Sequence, residues 1–253
     1  MEEKKVTRKY RVFRWFVRLF YPAPEFVGLE NLPDGPAVIV ANHAQMNGPL
    51  VGELYFPGRH FVWCAAEMMT LREVPGYAFG DFWSFKPRYT HVFYRLLSYL
   101  IAPLSVMVFN NAHTIPVYRD ARMLSTFRQT LAELQRGARI IVFPEHNVRH
   151  NHVVYDFQEG FADVARLYYR QTGQALRFVP VYVAPRLRKT VIGKPVAFDP
   201  GAAPAPERRR ICDEMMARIT ALAEALPPHT VVPYRNIPKK DYPRNIPSGR
   251  SSK

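Results

Sequence analysis

Three residues of this chain carry side chains suited to chemistry and stand at matching places: His43, Arg119 and Glu145. Asn42-His43 follows the apolar run Ala37-Val38-Ile39-Val40-Ala41. Arg119 closes Ile115-Pro116-Val117-Tyr118-Arg119, and Glu145 closes Ile141-Val142-Phe143-Pro144-Glu145. Short apolar runs bounded in this way read as buried strands, and the residue before a proline is held extended. A further run, Val179-Pro180-Val181, has the same character. A His, an Arg and a Glu are thus expected just past the carboxyl ends of strands, where open α/β sheets place ligand sites. An imidazole can be neutral near pH 7 and accept a proton. A guanidinium grips a phosphate through paired hydrogen bonds.

The elements that must position these groups are read from turn signals and periodicity. Gly28-Leu29-Glu30-Asn31-Leu32-Pro33-Asp34-Gly35 is turn chemistry leading into the first strand. Gly48-Pro49 suits a helix start. Residues 123–136 are predicted helical, with Leu124, Phe127, Leu131 and Leu134 on one face and Gly137 as the stop; with the runs at 115 and 140 they make a β–α–β unit. A second helix is expected from about Tyr155 to Arg170, with Phe157, Phe161, Val164, Ala165 and Tyr168 inward, ending near Gly173. A strand over 178–183 and a strand pair around Gly193-Lys194-Pro195 come next. Residues 202–206 read as an Ala/Pro linker, and 208–226 as a helix with Ile211, Met215, Ile219, Leu222 and Leu226 on one face. From Pro227 the chain is Pro-rich and basic and is expected to lack structure of its own. It holds a small echo: Tyr234-Arg235-Asn236-Ile237-Pro238, then Tyr242-Pro243-Arg244-Asn245-Ile246-Pro247.

The first helix is predicted over Lys4 to Phe20. Lys4, Arg8, Arg11, Arg14 and Arg18 form a stripe. Val6, Tyr10, Phe13, Val17 and Phe20 lie opposite, widened by Val12, Phe16 and Leu19. That pattern suits a helix lying among anionic headgroups; an amphipathic helix docked on its own domain would also carry it. A chain of 253 residues with 48% hydrophobic content can build one α/β core. The formal charge of +14 calls for a polyanionic partner. No secretory signal is visible. The longest uncharged run, Leu96 to Phe109, is shorter than the ~20 residues of a membrane span and contains Pro103. Nucleic acid is disfavoured, because no finger spacing or aromatic reading motif accompanies the charge. Cys64 and Cys212 fit no metal spacing and read as reduced thiols. His146, His150 and His152 cluster, but no Cys or closely spaced carboxylate besides Asp156 joins them, so no metal is expected. Asp120 reads as a local ion-pair or cap residue.

Taken in order, these blocks resemble the glycerolipid (lysophosphatidic acid) acyltransferase family. Its four blocks are matched by Asn42-His43-Ala44-Gln45-Met46-Asn47-Gly48, by Ile115 to Arg119, by Phe143-Pro144-Glu145-His146-Asn147-Val148-Arg149, and by Val179-Pro180-Val181, over roughly residues 25–200. The resemblance implies an α/β fold, a single acyltransferase-like domain with a mixed central sheet flanked by helices, over 25–226. The basic amphipathic helix would occupy 1–24 and the tail 227–253. It also implies transfer of an acyl group from acyl-CoA or acyl carrier protein to a hydroxyl of a lysophospholipid acceptor, with no cofactor, at the cytoplasmic side of an anionic membrane surface. His43 would be the base. Arg119 and Arg149 would bind the acceptor phosphate, Glu145 its glycerol end, and Val179 and Pro180 would line the apolar part. Two positions depart from the family. Gly48 stands where it has an Asp that orients the base, leaving the Asn47 amide as the nearest substitute. His146-Asn147 replaces Gly-Thr. These departures keep a second reading open, a lipid- or phosphate-binding pseudoenzyme on the same fold.

Overall fold

The run Ala37–Ala41 forms a strand in which every residue is buried. A strand with neighbours on both edges and cover on both faces needs such a sequence, because no position faces water. The computed structural model of the chain describes residues 7–246. Lys4 and Val6 of the N-terminal stripe, and Pro247 of the tail echo, lie outside the described residues. The elements are α1 (Arg8–Phe20), β1 (Glu25–Val27), β2 (Ala37–Ala41), α2 (Asn47–Tyr55), β3 (His60–Ala65), α3 (Val74–Ala78), α4 (His91–Asn111), β4 (Thr114–Val117), α5 (Met123–Gln135), β5 (Arg139–Val142), β6 (Glu145–Arg149), β7 (Tyr155–Phe157), α6 (Asp163–Thr172), β8 (Arg177–Ala184), β9 (Lys189–Ile192), β10 (Val196–Ala197) and α7 (Pro204–Glu224). The chain is α/β, with a mixed, mostly parallel sheet flanked by helices. It divides into two compact units, Ala23–Phe61 with Thr130–Lys253, and Met1–Pro22 with Val62–Gln129.

In the larger unit the strands run in the order β1-β9-β8-β2-β5, with β10 also on β8. β2 is parallel to both β5 and β8, while β9 and β10 are antiparallel to β8. The strand pair expected around 193–195 is therefore two partners of β8, not a hairpin. Val40 lies opposite Val142, so β2 and β5 end level and release Asn42-His43 and Phe143-Pro144-Glu145 at one sheet edge. α7 packs on β8 with Ile211, Cys212, Met215, Met216 and Ile219 buried. The residues expected to be a linker, Pro204 to Pro206, are its first turn, where proline's missing N–H is no loss.

The helix expected from Tyr155 starts later. Tyr155–Phe157 is strand β7, antiparallel to β6, and a 3₁₀ turn precedes α6. The inward residues Phe157, Phe161, Val164, Ala165 and Tyr168 are all buried, but pairing with β6 overrides the local helical spacing at the start. Gly173 caps α6 at φ 70°. α5 ends in a Schellman arrangement, with Ala138 N–H on Glu133 O and Gly137 N–H on Leu134 O. Its buried face runs through Thr126, Thr130, Leu131 and Leu134, while Leu124 is 72% exposed.

The tail is held against the larger unit. Val231, Val232, His229 and Asn245 are buried in the larger unit. The Asn245 amide donates to Ala223, Leu226 and Pro227 carbonyls and accepts from His229 N–H. The carbonyls ending α7 have no intrahelical partner, and one asparagine supplies it, fixing the tail to the helix end.

In the smaller unit β3 and β4 pair in parallel, Trp63 opposite Ile115. α4 buries a small-residue stripe, Ser98, Ala102 and Ser105, and packs on α3 with Val74, Ala78, Phe82 and Trp83. Its other face, with Val92, Phe93, Leu96, Tyr99 and Leu100, is exposed. The helix runs through Pro103 and, by length and composition, is the one described helix long and apolar enough to cross a membrane, counted over Arg88–Asn111. Reading only the uncharged stretch from Leu96 underestimates it, since the helix starts at His91 and carries Arg95 within it.

Candidate functional site

His43 sits on the turn between β2 and α2, and its main chain is held from both sides. Asn42 is buried and makes a reciprocal amide clamp to β8, donating to Val183 O at 3.1 Å and accepting Val183 N–H at 2.7 Å. His43 N–H donates to Glu145 Oε1 at 2.6 Å, and Tyr155 N–H to Glu145 Oε2 at 2.8 Å. Both carboxylate oxygens of Glu145 are thus engaged by main-chain amides, and the residue is 4% exposed. Burial lifts its pKa to about 7 against the pull of those two amides. Glu145 faces inward and fixes the His43 turn.

The turn itself is unusual. Ala44 and Gln45 both have positive φ, 45° and 55°. Each left-handed non-glycine residue costs about 1–2 kcal/mol, so the surroundings must hold the pair in place. The result is that the Gln45 carbonyl turns back onto His43 Nδ1. A carbonyl only accepts, so Nδ1 carries the hydrogen and Nε2 keeps its lone pair. The ring is packed edge-to-face by Phe143 and Tyr234, each with centroids 5.4 Å away. It keeps partial access to solvent while protein surrounds most of it. Burial lowers its pKa to about 4, opposed by its main-chain hydrogen bonds.

Asn47 Nδ2 donates to Ala44 O at 2.8 Å, which braces the same turn, and the acceptor on His43 Nδ1 is the Gln45 carbonyl. At Gly48 a Cβ would lie 2.6 Å from His43 O and 2.7 Å from Asn42 O. Both are main-chain atoms, so the position excludes any side chain.

The other residues singled out in the sequence are scattered. Val179 and Pro180 lie inside β8, fully covered, next to β2. Arg149 is exposed at the end of β6, with Nε on Asn151 O. Arg119 belongs to the smaller unit, exposed just past β4. It lines a cleft of about 550 Å³ with Arg72, Glu73, Tyr77, Tyr118 and Arg122. Arg122 is taken by Asp120 at 2.8 Å, the local role expected for that acid, and stacks over Tyr118. Arg119 has no such partner among the described residues. Burial raises the pKa of Asp81, and the Arg119 charge offsets part of the rise. His146 pairs with Asp156, and His152 with Glu224 and Asn245 O. Among the described residues no group of His, Cys, Asp and Glu converges as a metal site would. Cys64 and Cys212 are free thiols that burial raises to about 12, which keeps them protonated.

Sequence reasoning missed Gln45, Tyr234 and Tyr242. Gln45 Nε2 donates to Tyr242 OH at 2.7 Å and to Arg235 O at 3.4 Å. The available signal was the tail echo, which carries both tyrosines.

No protein-family model matches the chain, and no curated protein matches it. Among solved structures it is similar to the crystal structure of the 1-acyl-sn-glycerophosphate (LPA) acyltransferase from Thermotoga maritima. The identity is 18%, over 87% of this chain and 80% of that one, with a TM-score of 0.49.

Proposed function

We propose that the chain is a transferase acting at an apolar–aqueous boundary, and specifically an acyltransferase that moves a fatty acyl group from a thioester to a hydroxyl of a lysophospholipid-like acceptor. The observation that carries this reading is His43: a neutral imidazole with Nδ1–H fixed by a carbonyl and the Nε2 lone pair left to accept a proton, on a turn anchored by Asn42 and Glu145 at the carboxyl end of β2. The order of the four motif blocks supports it. In the proposed reaction Nε2 takes the acceptor hydroxyl proton as the oxygen attacks the thioester carbonyl. The tetrahedral intermediate collapses, the C–S bond breaks, and the imidazolium returns the proton to the leaving thiolate. The thioester is already activated, so no cofactor enters. Arg119, which makes no ion pair among the described residues, binds the acceptor phosphate. Glu145 and Asn47 serve as braces of the turn.

A neutral carbonyl sets the tautomer but gives little stabilisation to the imidazolium. In a serine protease, losing the orienting carboxylate costs roughly 10⁴ in rate. We therefore expect a slow enzyme. The crowding at Gly48 favours a second reading, a lipid- or phosphate-binding protein that has lost turnover. Thin-layer analysis of purified protein with labelled acyl-CoA, or acylated carrier protein, and a panel of acceptors separates them. Product that disappears in His43→Ala supports the enzyme. Acceptor binding without product supports the binding protein.

The proposed setting is the cytoplasmic side of an anionic membrane, bound peripherally. The support is the basic stripe of α1, its exposed Trp15, Phe16, Leu19 and Phe20, and the exposed apolar face of α4.

A further inference from the structure

We propose that the C-terminal segment is part of the catalytic apparatus: by gripping the Gln45 side chain, Tyr242 holds the carbonyl that sets the His43 tautomer, taking over the task of the absent carboxylate. The proposal rests on the reading of His43 as the base, and Tyr242 and Gln45 are positioning residues within it.

Gln45 is the link between tail and base. Its carbonyl reaches Nδ1 only because Ala44 and Gln45 adopt left-handed backbone in succession, a conformation side chains disfavour. Something outside the turn must select it. The side-chain amide of Gln45 is fastened there, to Tyr242 OH and to Arg235 O. The chain next to Tyr242 is itself fixed. Asn245 is buried and hydrogen-bonded to the last carbonyls of α7, Val231 N–H donates to Pro243 O, and Thr230 bridges Arg244. Hydrogen bonds at both ends of the segment Tyr242–Asn245, with its main chain between them, therefore link the end of α7 to Gln45, whose carbonyl meets the base. The same segment touches the site a second time through Tyr234, which packs on the His43 ring and on Tyr155, whose amide holds Glu145. The alternative location for an orienting group, position 48, is closed by main-chain oxygens.

The test uses the full chain with ¹⁵N-labelled histidine. Two-bond ¹H–¹⁵N correlations report which His43 ring nitrogen is protonated, with His43→Gln assigning the signals. The expected parent spectrum is a single Nδ1–H tautomer. Tyr242→Phe removes one hydroxyl and keeps the ring, so it should fold with an unchanged circular dichroism spectrum. It is expected to give a tautomer mixture and a kcat lower by roughly tenfold, with KM for donor and acceptor unchanged, as when an interaction serves only the chemical step. Gln45→Leu should act alike, and the double variant should be no worse than either single one, because both cut one linkage. A parent spectrum showing Nε2–H, or a Tyr242→Phe spectrum and kcat identical to the parent, overturns the proposal. If Tyr242→Phe unfolds, Gln45→Leu answers the same question from the other end of the bond. If the parent lacks turnover, the acyl-transfer reading falls, while the tautomer spectra still decide whether the tail positions His43.

Discussion

At the scale of single residues, the site depends on a glycine that leaves no room and on a histidine kept neutral. An Asp at position 48 is the change the family's motif suggests for a faster enzyme, and the geometry predicts the reverse. Its Cβ would meet two main-chain oxygens and the Phe143 ring, and the oxygens cannot yield without moving the His43 turn. Gly48→Asp, and Gly48→Ala with it, should lower stability by roughly 1–3 kcal/mol and reduce activity; urea unfolding and the product assay check both. The pH dependence arises from two buried groups with opposite signs. The Glu145 pKa is raised from 4.5 to about 7, so its contribution to stability is full below about 4.5 and is lost as pH rises through about 7. The His43 pKa is lowered from 6.5 to about 4, so its contribution is full above about 6.5 and is lost as pH falls through about 4. Between those limits the slopes oppose each other. His43→Gln should expose the Glu145 slope, a fall of roughly 3 kcal/mol in unfolding free energy from pH 4.5 to 7, readable by urea titration at several pH values. In the parent, kcat/KM should show no histidine limb near pH 6.5 and should decline only toward pH 4. His43 and Glu145 were legible in the sequence because each ends an apolar run. The Gln45 carbonyl was not, since a main-chain acceptor has no residue-type signature and its direction depends on two backbone angles.

At the scale of elements, hydrophobic pattern located β2, β5, β8 and α7, where local spacing and tertiary burial agree. It failed where pairing partners decide. Phe157 shares helical spacing with Phe161, Val164 and Tyr168, yet β6 claims Tyr155–Phe157 as a strand. Leu124 fits the apolar face of α5 but lies beyond the cover that buries Leu131 and Leu134. α1 and α4 show the converse, apolar faces left exposed among the described residues: Phe20 is 74% exposed and Leu100 is 76% exposed. Apart from the buried Tyr10, α1 keeps most of its apolar face outward, which a helix docked only for its own stability would not do. Flotation with anionic vesicles should show binding that weakens with salt. Each basic residue near the surface contributes about 1 kcal/mol, so Arg11→Gln with Arg18→Gln should weaken it about 30-fold at low salt. Leu96→Ser with Leu100→Ser should also reduce binding, but with little change in salt dependence. Equal flotation of the parent and both double variants would mean that another surface meets the membrane.

At the scale of the whole molecule, a net charge of +14 draws the chain to any polyanion, so binding to acidic surfaces alone identifies nothing. The discriminating quantity is the response of one guanidinium. Three arginines, Arg72, Arg119 and Arg122, line the cleft of the smaller unit together with Glu67, Glu73 and Asp120. Arg122 is neutralised by Asp120, whereas Arg119 makes no ion pair among the described residues. If Arg119 binds the acceptor phosphate, Arg119→Ala should raise the acceptor KM by roughly 10–100-fold, the scale of a lost charge-assisted bond of about 1.5–3 kcal/mol. The donor KM should be unchanged. Arg119→Lys should recover part of the loss, since an ammonium keeps the charge but cannot make the two-pronged contact. Arg122→Ala is the internal control for charge alone: it removes the same unit charge from the same cleft and should move the acceptor KM far less, because its guanidinium is already committed to Asp120. Equal effects of the two alanine variants would show that the cleft attracts phosphate by summed charge, and Arg119 would lose its assigned role.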